Sequence, residues 1–422
     1  MTMVVWPHRA SPFGLENAKQ NDAASGARRD ARTATQTFRV IMAGGGTGGH
    51  LYPGLAVAAA LEKLADTEGV AVQLTWAATP RTVDQRLLGK FGTHYVQQPV
   101  QPLVKQLSKL WPFFKAWQTS CSFWRKSFGD NRPHCVVALG GYAAGPAAYI
   151  ASKTGVPVVL LNPDAVPGLA NRFLLKRSQS VFTQWPLSAR DYQKVGGAKI
   201  QPLGCPIRED LVGRSREDGA ASLGVDATRK TLVITGASLG AKTINDAMLE
   251  LLKDADLRKQ FEEAGGGWQI IHLTGLEQAD AVRAAYAAFP AVRVKVIDYC
   301  DDMASVWAIA DLAIARAGAS TCAELTACGV PSILLPYPYH KDMHQRHNAA
   351  ELVKAGAATI VDDRKDARLN ASAIKTALQT LIYNNEARTQ MAEAAAIAGK
   401  PHAATAIAQE IMNIMRGNRQ VN

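Results

Sequence analysis

Phe38-Arg39-Val40-Ile41-Met42-Ala43-Gly44-Gly45-Gly46-Thr47-Gly48-Gly49-His50 is an apolar run that ends in a cluster of glycines, and Leu51-Tyr52-Pro53 and an Ala/Leu-rich stretch follow it. The pattern predicts a β-strand over 38–42 that turns into a helix. At such a turn, backbone N–H groups and the positive end of a helix dipole converge, which favours a phosphate or diphosphate. Gly44-x-Gly46-x-x-Gly49 satisfies the dinucleotide fingerprint literally, but that reading also calls for an acidic residue at the end of the second strand. The second strand, 70–76, runs instead into Ala77-Ala78-Thr79-Pro80-Arg81, which has no carboxylate. A P-loop needs Gly-Lys-Ser/Thr after its glycines, where this chain has Gly49-His50-Leu51. Nicotinamide and ATP chemistry are both disfavoured. A tight turn without a ligand needs one or two glycines, not the five present here.

Working outward, the same unit recurs. Apolar strands expected at 38–42, 70–76, 135–139 and 156–161 are each followed by glycine turns or helical stretches, the pattern of a parallel sheet. A break comes at Leu203-Gly204-Cys205-Pro206-Ile207-Arg208, and the alternation then restarts at 231–234, 269–273, 292–297, 312–315 and 331–335. Two α/β halves joined near residue 207 are expected, with the ligand in the cleft between them, outside the carboxyl ends of the strands. A second glycine-and-hydroxyl turn, Thr235-Gly236-Ala237-Ser238-Leu239-Gly240-Ala241-Lys242, and a third, Gly140-Gly141-Tyr142-Ala143-Ala144-Gly145-Pro146, point to a site for more than one phosphate-bearing ligand.

With 422 residues the chain exceeds one ordinary core, and 47% hydrophobic with 20% charged residues describes a soluble globular protein. The net charge of +11 points to anionic partners. The 6 cysteines show neither a CxxC pair nor a framework spacing, so packed thiols in a reducing compartment are expected. No secretory signal opens the sequence. The uncharged run 135–152 contains Gly140-Gly141, Gly145 and Pro146 and reads as strand, turn and helix start, not as a membrane span. Residues 1–36 read as a disordered polar extension.

Several residues can carry chemistry. His50 closes the first turn, where a neutral imidazole can act as general base or orient an acceptor hydroxyl, or merely cap the turn. In Ala319-Ser320-Thr321-Cys322-Ala323-Glu324, the carboxylate either completes a capping box or accepts hydrogen bonds from vicinal hydroxyls such as those of a ribose. Tyr339-His340-Lys341-Asp342-Met343-His344-Gln345-Arg346-His347-Asn348 offers amides suited to sugar hydroxyls. Its His340 and His344 are spaced for a metal but lack Cys or repeated carboxylate ligands nearby. Residues 94–129 contain no Asp or Glu, and apolar members from Leu103 to Phe128 recur at helical spacing beside Lys105, Lys109, Lys115, Arg125 and Lys126. Three of the 8 tryptophans lie here, so the inner part is expected to be core and the outer part to face an anionic membrane. No recognition motif supports nucleic acid as the partner.

The ordered set Gly45-Gly46-Thr47-Gly48-Gly49-His50, Pro53-Gly54-Leu55-Ala56, Gly140-Gly141-Tyr142, Gly168-Leu169 with Asn171, Gly204 with Pro206 and Arg208, Ser238 with Gly240, Asp301-Asp302-Met303, Arg316 with Gly318-Ala319, Glu324, and His344-Gln345 with Asn348-Ala349 resembles the MurG family from about residue 37 onward. These are undecaprenyldiphospho-muramoylpentapeptide N-acetylglucosaminyltransferases of glycosyltransferase family 28. The resemblance implies an α/β, GT-B fold of two Rossmann-like domains with parallel sheets facing across a cleft: 37–207 on the acceptor and membrane side, 208–400 binding UDP-GlcNAc, and a helix at about 402–417 returning to the first. It implies inverting transfer of GlcNAc from UDP-GlcNAc to the C4 hydroxyl of MurNAc-pentapeptide-diphospho-undecaprenol. The enzyme would lie peripherally on the cytoplasmic face of the inner membrane, docked through 103–128. By the same resemblance Thr47, Gly48 and Gly49 contact the donor, Arg208 and Ser238 its diphosphate, the backbone of Cys300 the uracil, Ala319, Ser320, Thr321, Cys322, Ala323 and Glu324 the nucleotide, and Gln345 the sugar; the amide of Asn348, from its chemistry, is expected among the substrate-binding groups as well.

One departure bears on the reaction. Where the family usually has His-Glu-Gln-Asn, this chain has Leu161-Asn162-Pro163-Asp164. An Asn is no general base, so the role is expected to fall to Asp164. Leu239 also replaces a common Gln, and Ala317 a common Ser. No obligatory divalent ion is expected: Asp254-Ala255-Asp256 sits in a helical stretch, while Arg208 and the turn N–H groups can oppose leaving-group charge. The competing readings are a related GT-B transferase with another lipid acceptor, a UDP-GlcNAc 2-epimerase, and a non-catalytic UDP-sugar-binding protein.

Overall fold

The computed structural model describes residues 36–103, 106–237, 240–262, 266–339 and 342–417, so nearly all of the expected 1–36 extension lies outside the described residues. The first sheet contains β1 (Thr37–Gly44), β2 (Ala71–Ala78), β3 (Tyr95–Gln97), β4 (Cys135–Gly140), β5 (Val158–Asn162), β6 (Ser180–Thr183) and β7 (Lys199–Gln201). The second contains β8 (Lys230–Thr235), β9 (Trp268–Leu273), β10 (Val294–Ile297), β11 (Leu312–Ala315), β12 (Ser332–Leu334) and β13 (Ala358–Ile360). Their orders are β3-β2-β1-β4-β5-β6-β7 and β10-β9-β8-β11-β12-β13, parallel throughout. Central strands such as β4 and β5 are buried along their whole length, which is why they read as unbroken apolar runs. Each sheet reverses its strand order beside its first strand, β1 or β8, and the glycine turns leaving these strands sit at that switch point.

Nine strands follow the expected alternation. β3, β6, β7 and β13, of three or four residues each and carrying Gln, Lys, Ser or Thr, have no counterpart among the expected apolar runs. The run 135–152 resolves into β4, a turn and the helix Gly145–Lys153. Among the described residues no helix is long and apolar enough to cross a membrane.

Leu107–Asp130 forms one helix that continues through Pro112. Its inner end is core: Trp124, Phe128 and Cys121 are buried, and Trp124 Nε1 donates to Gln98 Oε1 at 2.8 Å. Its outer end is not, with Trp111 77% and Phe114 58% exposed.

The chain crosses between the two sheets' halves twice at one place. Gly204 has φ +111, and a Cβ there would lie 2.8 Å from Lys400 Cβ and 2.9 Å from Ala403 Cβ, so only glycine lets the outgoing and returning segments touch. Beyond the crossing, helix Ala403–Gly417 lies on helix Gly48–Glu68 and buries Ile407, Ile411, Met412 and Met415 in the core with Phe38, Val40 and Trp76. Across the cleft Tyr52 and Tyr299 share a hydroxyl hydrogen bond of 2.8 Å, and Lys63–Glu209 and Lys90–Asp301 pair at 2.7 Å. Exposed pairs of this kind each contribute at most about 1 kcal/mol. All 6 cysteines are free thiols.

Candidate functional site

The carboxyl ends of both sheets open on one cleft of about 1080 Å³. From the first half it is lined by Thr47, Gly48, Gly49, His50 and Asp164, and from the second by Arg208, Cys300, Ala319, Ser320, Thr321, Glu324 and Gln345. Twelve of the residues singled out in the sequence therefore meet in one space.

The first turn is braced from beneath by Asp84, Thr79 and Arg81. Asp84, at the start of helix Thr82–Lys90, is fully buried. Its Oδ1 accepts the Gly46 N–H at 2.7 Å, and its Oδ2 accepts the Thr79 N–H at 2.8 Å and the Thr79 hydroxyl at 2.7 Å. Arg81 Nη1 donates to Gly46 O at 3.1 Å. The Gly46 N–H is thus already spent on an internal carboxylate. What the turn offers a ligand is the Thr47 hydroxyl and the first-turn amides of Gly48 and Gly49, which helix geometry leaves without an intrahelical acceptor. Asp84 is five residues past Thr79, and no local pattern ties it to the glycine turn.

The His50 ring rests on the third turn. Gly140 (φ +100) and Gly141 (φ +72) hold left-handed backbone, and a Cβ on either would stand 3.0 Å from His50 Cδ2 or 3.2 Å from His50 Cε1. His50 Nδ1 lies 3.0 Å from Thr47 Oγ1. Burial lowers the proton affinity of this imidazole and the nearby Asp164 charge opposes that, with the lowering dominant, so the neutral ring is favoured.

Asp164 sits in the loop after β5. Asn162, in the position of the family's Glu, is buried and held by its neighbours: its Nδ2 donates to Asp164 O at 2.9 Å and its Oδ1 accepts from Asn171 Nδ2 at 2.9 Å. The Asp164 carboxylate reaches the opposite half, where Asn348 Nδ2 donates to Oδ1 at 2.9 Å.

On the second half, Arg208 donates to Asp301 O at 3.0 Å beside Cys300, which places a cation at the cleft wall. Helix Ala319–Ala327 starts at Gly318, which has no side-chain cap, so the capping-box reading of Glu324 is not realised. Instead Trp307 Nε1 donates to Glu324 Oε2 at 2.9 Å. Burial raises the proton affinity of this carboxyl, opposed by the Trp307 hydrogen bond and the Arg208 charge. Gln345 Oε1 accepts the Tyr337 N–H at 2.9 Å, which leaves its NH₂ as the end to offer a hydroxyl.

Two expectations change. Cys322 and Ala323 face the core of the second half, because the helix that presents Ala319, Ser320 and Glu324 to the cleft turns these two side chains away from it. Asn348 is fully buried, and its amide is engaged by protein groups rather than presented to the cleft. Ser238 and Leu239 lie outside the described residues, as does His340. His344 pairs with Asp342 at 2.9 Å, and Asp254 caps helix Ala255–Arg258 through Leu257 N–H at 3.1 Å. Among the described residues no group of three or more His, Cys, Asp and Glu converges on a metal position.

Two parallel sheets that face each other across a cleft, with a glycine turn leaving the first strand of each, define the two-domain GT-B architecture. The chain belongs to glycosyltransferase family 28: the family's N-terminal domain matches residues 40–183 and its C-terminal domain residues 231–409. Its relatives include the UDP-N-acetylglucosamine–N-acetylmuramyl-(pentapeptide) pyrophosphoryl-undecaprenol N-acetylglucosamine transferase of Halothermothrix orenii, 32% identical over 388 residues, which span 90% of this chain and 100% of the relative. The protein of the same name from Desulfitobacterium hafniense is 35% identical over 87% of this chain and 96% of its own length. The crystal structure of Acinetobacter baumannii MurG superposes with a TM-score of 0.65 at 27% identity, covering 90% of this chain and 99% of that one.

Proposed function

We propose that this protein transfers GlcNAc from UDP-GlcNAc to the C4 hydroxyl of undecaprenyl-diphosphate-linked MurNAc-pentapeptide, inverting the anomeric centre, at the cytoplasmic face of the cell membrane. The observation that carries the reading is the single cleft in which His50 and Asp164 of one half face Arg208, Glu324 and Gln345 of the other, in a chain whose relatives bear that activity in their names.

In this reading the donor lies on the second half. Glu324 accepts the ribose hydroxyls, the Cys300 backbone meets the uracil, the Gln345 NH₂ meets the sugar, and Arg208 opposes the diphosphate. The acceptor oxygen forms its bond to the anomeric carbon as the bond to the UDP oxygen breaks and its electron pair leaves with UDP. Asp164 takes the acceptor proton, and neutral His50 orients that hydroxyl. Leaving-group charge is met by Arg208, by the amides of Gly48 and Gly49 and by the helix dipole behind them, so no divalent ion is required. The exposed Trp111, Phe114 and Leu103, flanked by Lys109 and Lys115, form the surface that meets an anionic membrane, and Phe114 and Leu103 also line the cleft, so a lipid-linked acceptor enters from that end.

The test is UDP release from UDP-GlcNAc with and without the lipid-linked acceptor, in the presence of chelator. Acceptor-dependent release that survives chelation is expected. Release that needs no acceptor, or that stops on chelation, breaks the acceptor or the metal-free part of the reading respectively.

A further inference from the structure

We infer that Asn348 is a positioning residue that holds the Asp164 carboxylate from the opposite half of the molecule, so that the acceptor-activating base is complete only when the two halves are together. This rests on the reading of Asp164 given above. Asn348 lies in helix His344–Lys354, three residues beyond Gln345, and its side chain is fully buried. Nδ2 donates to Asp164 Oδ1 at 2.9 Å and to Ala317 O at 3.1 Å, and Oδ1 accepts the Ala165 N–H at 2.8 Å. An amide has two N–H donors and one carbonyl oxygen, and all three are engaged, so Asn348 offers no group to a sugar.

The geometry divides the support of Asp164 between the halves. Its backbone carbonyl is held within the first half by Asn162, which Asn171 holds in turn. Its carboxylate, and the amide of the next residue, are held by one side chain of the second half. Opening the cleft separates Asn348 from both and leaves the loop with only its own half's brace. The helix that carries Asn348 also carries Gln345 on the cleft wall, and Ala317, the third partner of Asn348, stands next to Gly318, the N-cap of the helix that carries Glu324. Seating of the donor and orientation of the base therefore share rigid elements. With Oδ1 engaged, Oδ2 is the atom that takes the acceptor's proton.

The experiment uses the full chain and the variants Asn348→Ala, Asn348→Asp and Asp164→Asn, alone and combined. It reads kcat, KM for UDP-GlcNAc and the Kd of UDP. For Asn348→Ala, kcat is expected to fall about 10²-fold, the loss typical of a reacting group misplaced by about 1 Å, while KM and Kd stay within about twofold. Asn348→Asp has the same shape but puts a second carboxylate against Asp164, and it loses more than Asn348→Ala. In the Asp164→Asn background, where about 10²- to 10⁴-fold of base catalysis is already gone, Asn348→Ala adds less than about threefold. A rise in KM with kcat unchanged makes Asn348 a sugar ligand and overturns the inference. So does an equal fall in kcat in both backgrounds, or a loss of UDP binding along with turnover, which assigns Asn348 to the fold. Wild-type turnover by Asp164→Asn sinks the Asp164 reading and this one together, whereas an impaired Asp164→Asn beside an unimpaired Asn348→Ala sinks this one alone.

Discussion

The two walls of the cleft are built from the same strand–turn–helix unit and finished in opposite ways. On the second half, the polar side chains are held before any ligand arrives: Trp307 sets Glu324, and the Tyr337 N–H sets Gln345. Deeper in, buried Arg316 donates to Asp363 Oδ2 at 2.8 Å and to Thr243 Oγ1 at 2.7 Å, tying β11 to the helix behind the second glycine turn. On the first half, the mouth is aromatic. Trp117 packs against Phe113, Tyr149 and Phe173 with ring centroids 6.3, 5.9 and 5.8 Å away, and the helix end beyond it carries exposed Trp111. The difference teaches that the sheet switch point supplies only a place. A preset polar wall suits a nucleotide sugar of fixed shape, and a broad apolar mouth suits a flexible chain.

The strongest way to break this contrast is at Glu324. Glu324→Gln keeps an oxygen for Trp307 but removes the charge, and hydrogen bonds to a charged group contribute about 1.5–3 kcal/mol, so KM for UDP-GlcNAc should rise about 10- to 10²-fold. An unchanged KM in steady-state assays means that the preset carboxylate does not meet the donor. The aromatic mouth is tested next by Trp111→Ser. Losing an exposed indole from the proposed docking surface should weaken binding to vesicles of anionic lipid about tenfold in co-sedimentation, from about 25 cal/mol per Å² of apolar burial. Trp124→Ser, on the same helix but in the core, should instead lower the unfolding temperature. If both variants only lower stability, the division of this helix into core and docking ends fails.

The smallest effect lies beneath the preset wall. His272 of β9 is buried, with Nδ1 3.1 Å from Tyr286 Oη and Nε2 3.1 Å from Asn245 Oδ1, and burial pushes its pKa down from 6.5 to about 3. The unfolded chain binds a proton below about 6.5 that the folded ring refuses. The contribution is therefore fully present above that pH and is lost, at about 1.4 kcal/mol per pH unit, as the pH falls toward 3. Denaturant titrations of His272→Gln between pH 7 and about pH 5 should show a shallower decline than the parent. Parallel declines exclude His272 as a source of acid sensitivity.

Much of this was legible in the sequence because it is local. A glycine cluster after an apolar run announces its turn within ten residues, and the repeat of that unit announces two sheets. The turns, His50 and Glu324 are legible in this way, whereas the role of Arg208 comes from the family resemblance. Asp84 is not legible in this way, since its hydrogen bond to Gly46 spans 38 residues, nor is the engagement of Asn348, whose partner Asp164 lies 184 residues away. The capping box at Thr321–Glu324 is absent for a different reason: the helix begins earlier, after Gly318, so both residues lie inside it and Glu324 is left to accept from the Trp307 indole. Within the 319–324 run, sequence order gave no means of separating wall residues from Cys322 and Ala323 beneath them.

The returning helix Ala403–Gly417 makes the second half, in effect, an insertion into the first. Ile407, Ile411 and Met415 are fully buried among side chains from β1 and β2, more than 300 residues earlier in the chain. On the ribosome the first half therefore waits with an apolar face uncovered while the whole second half is made, and it closes only after residue 415 emerges. A protein cut at the crossing near Gly204 would yield no self-contained first half, and any split version would have to deliver the fifteen residues of helix Ala403–Gly417 back to where the chain began.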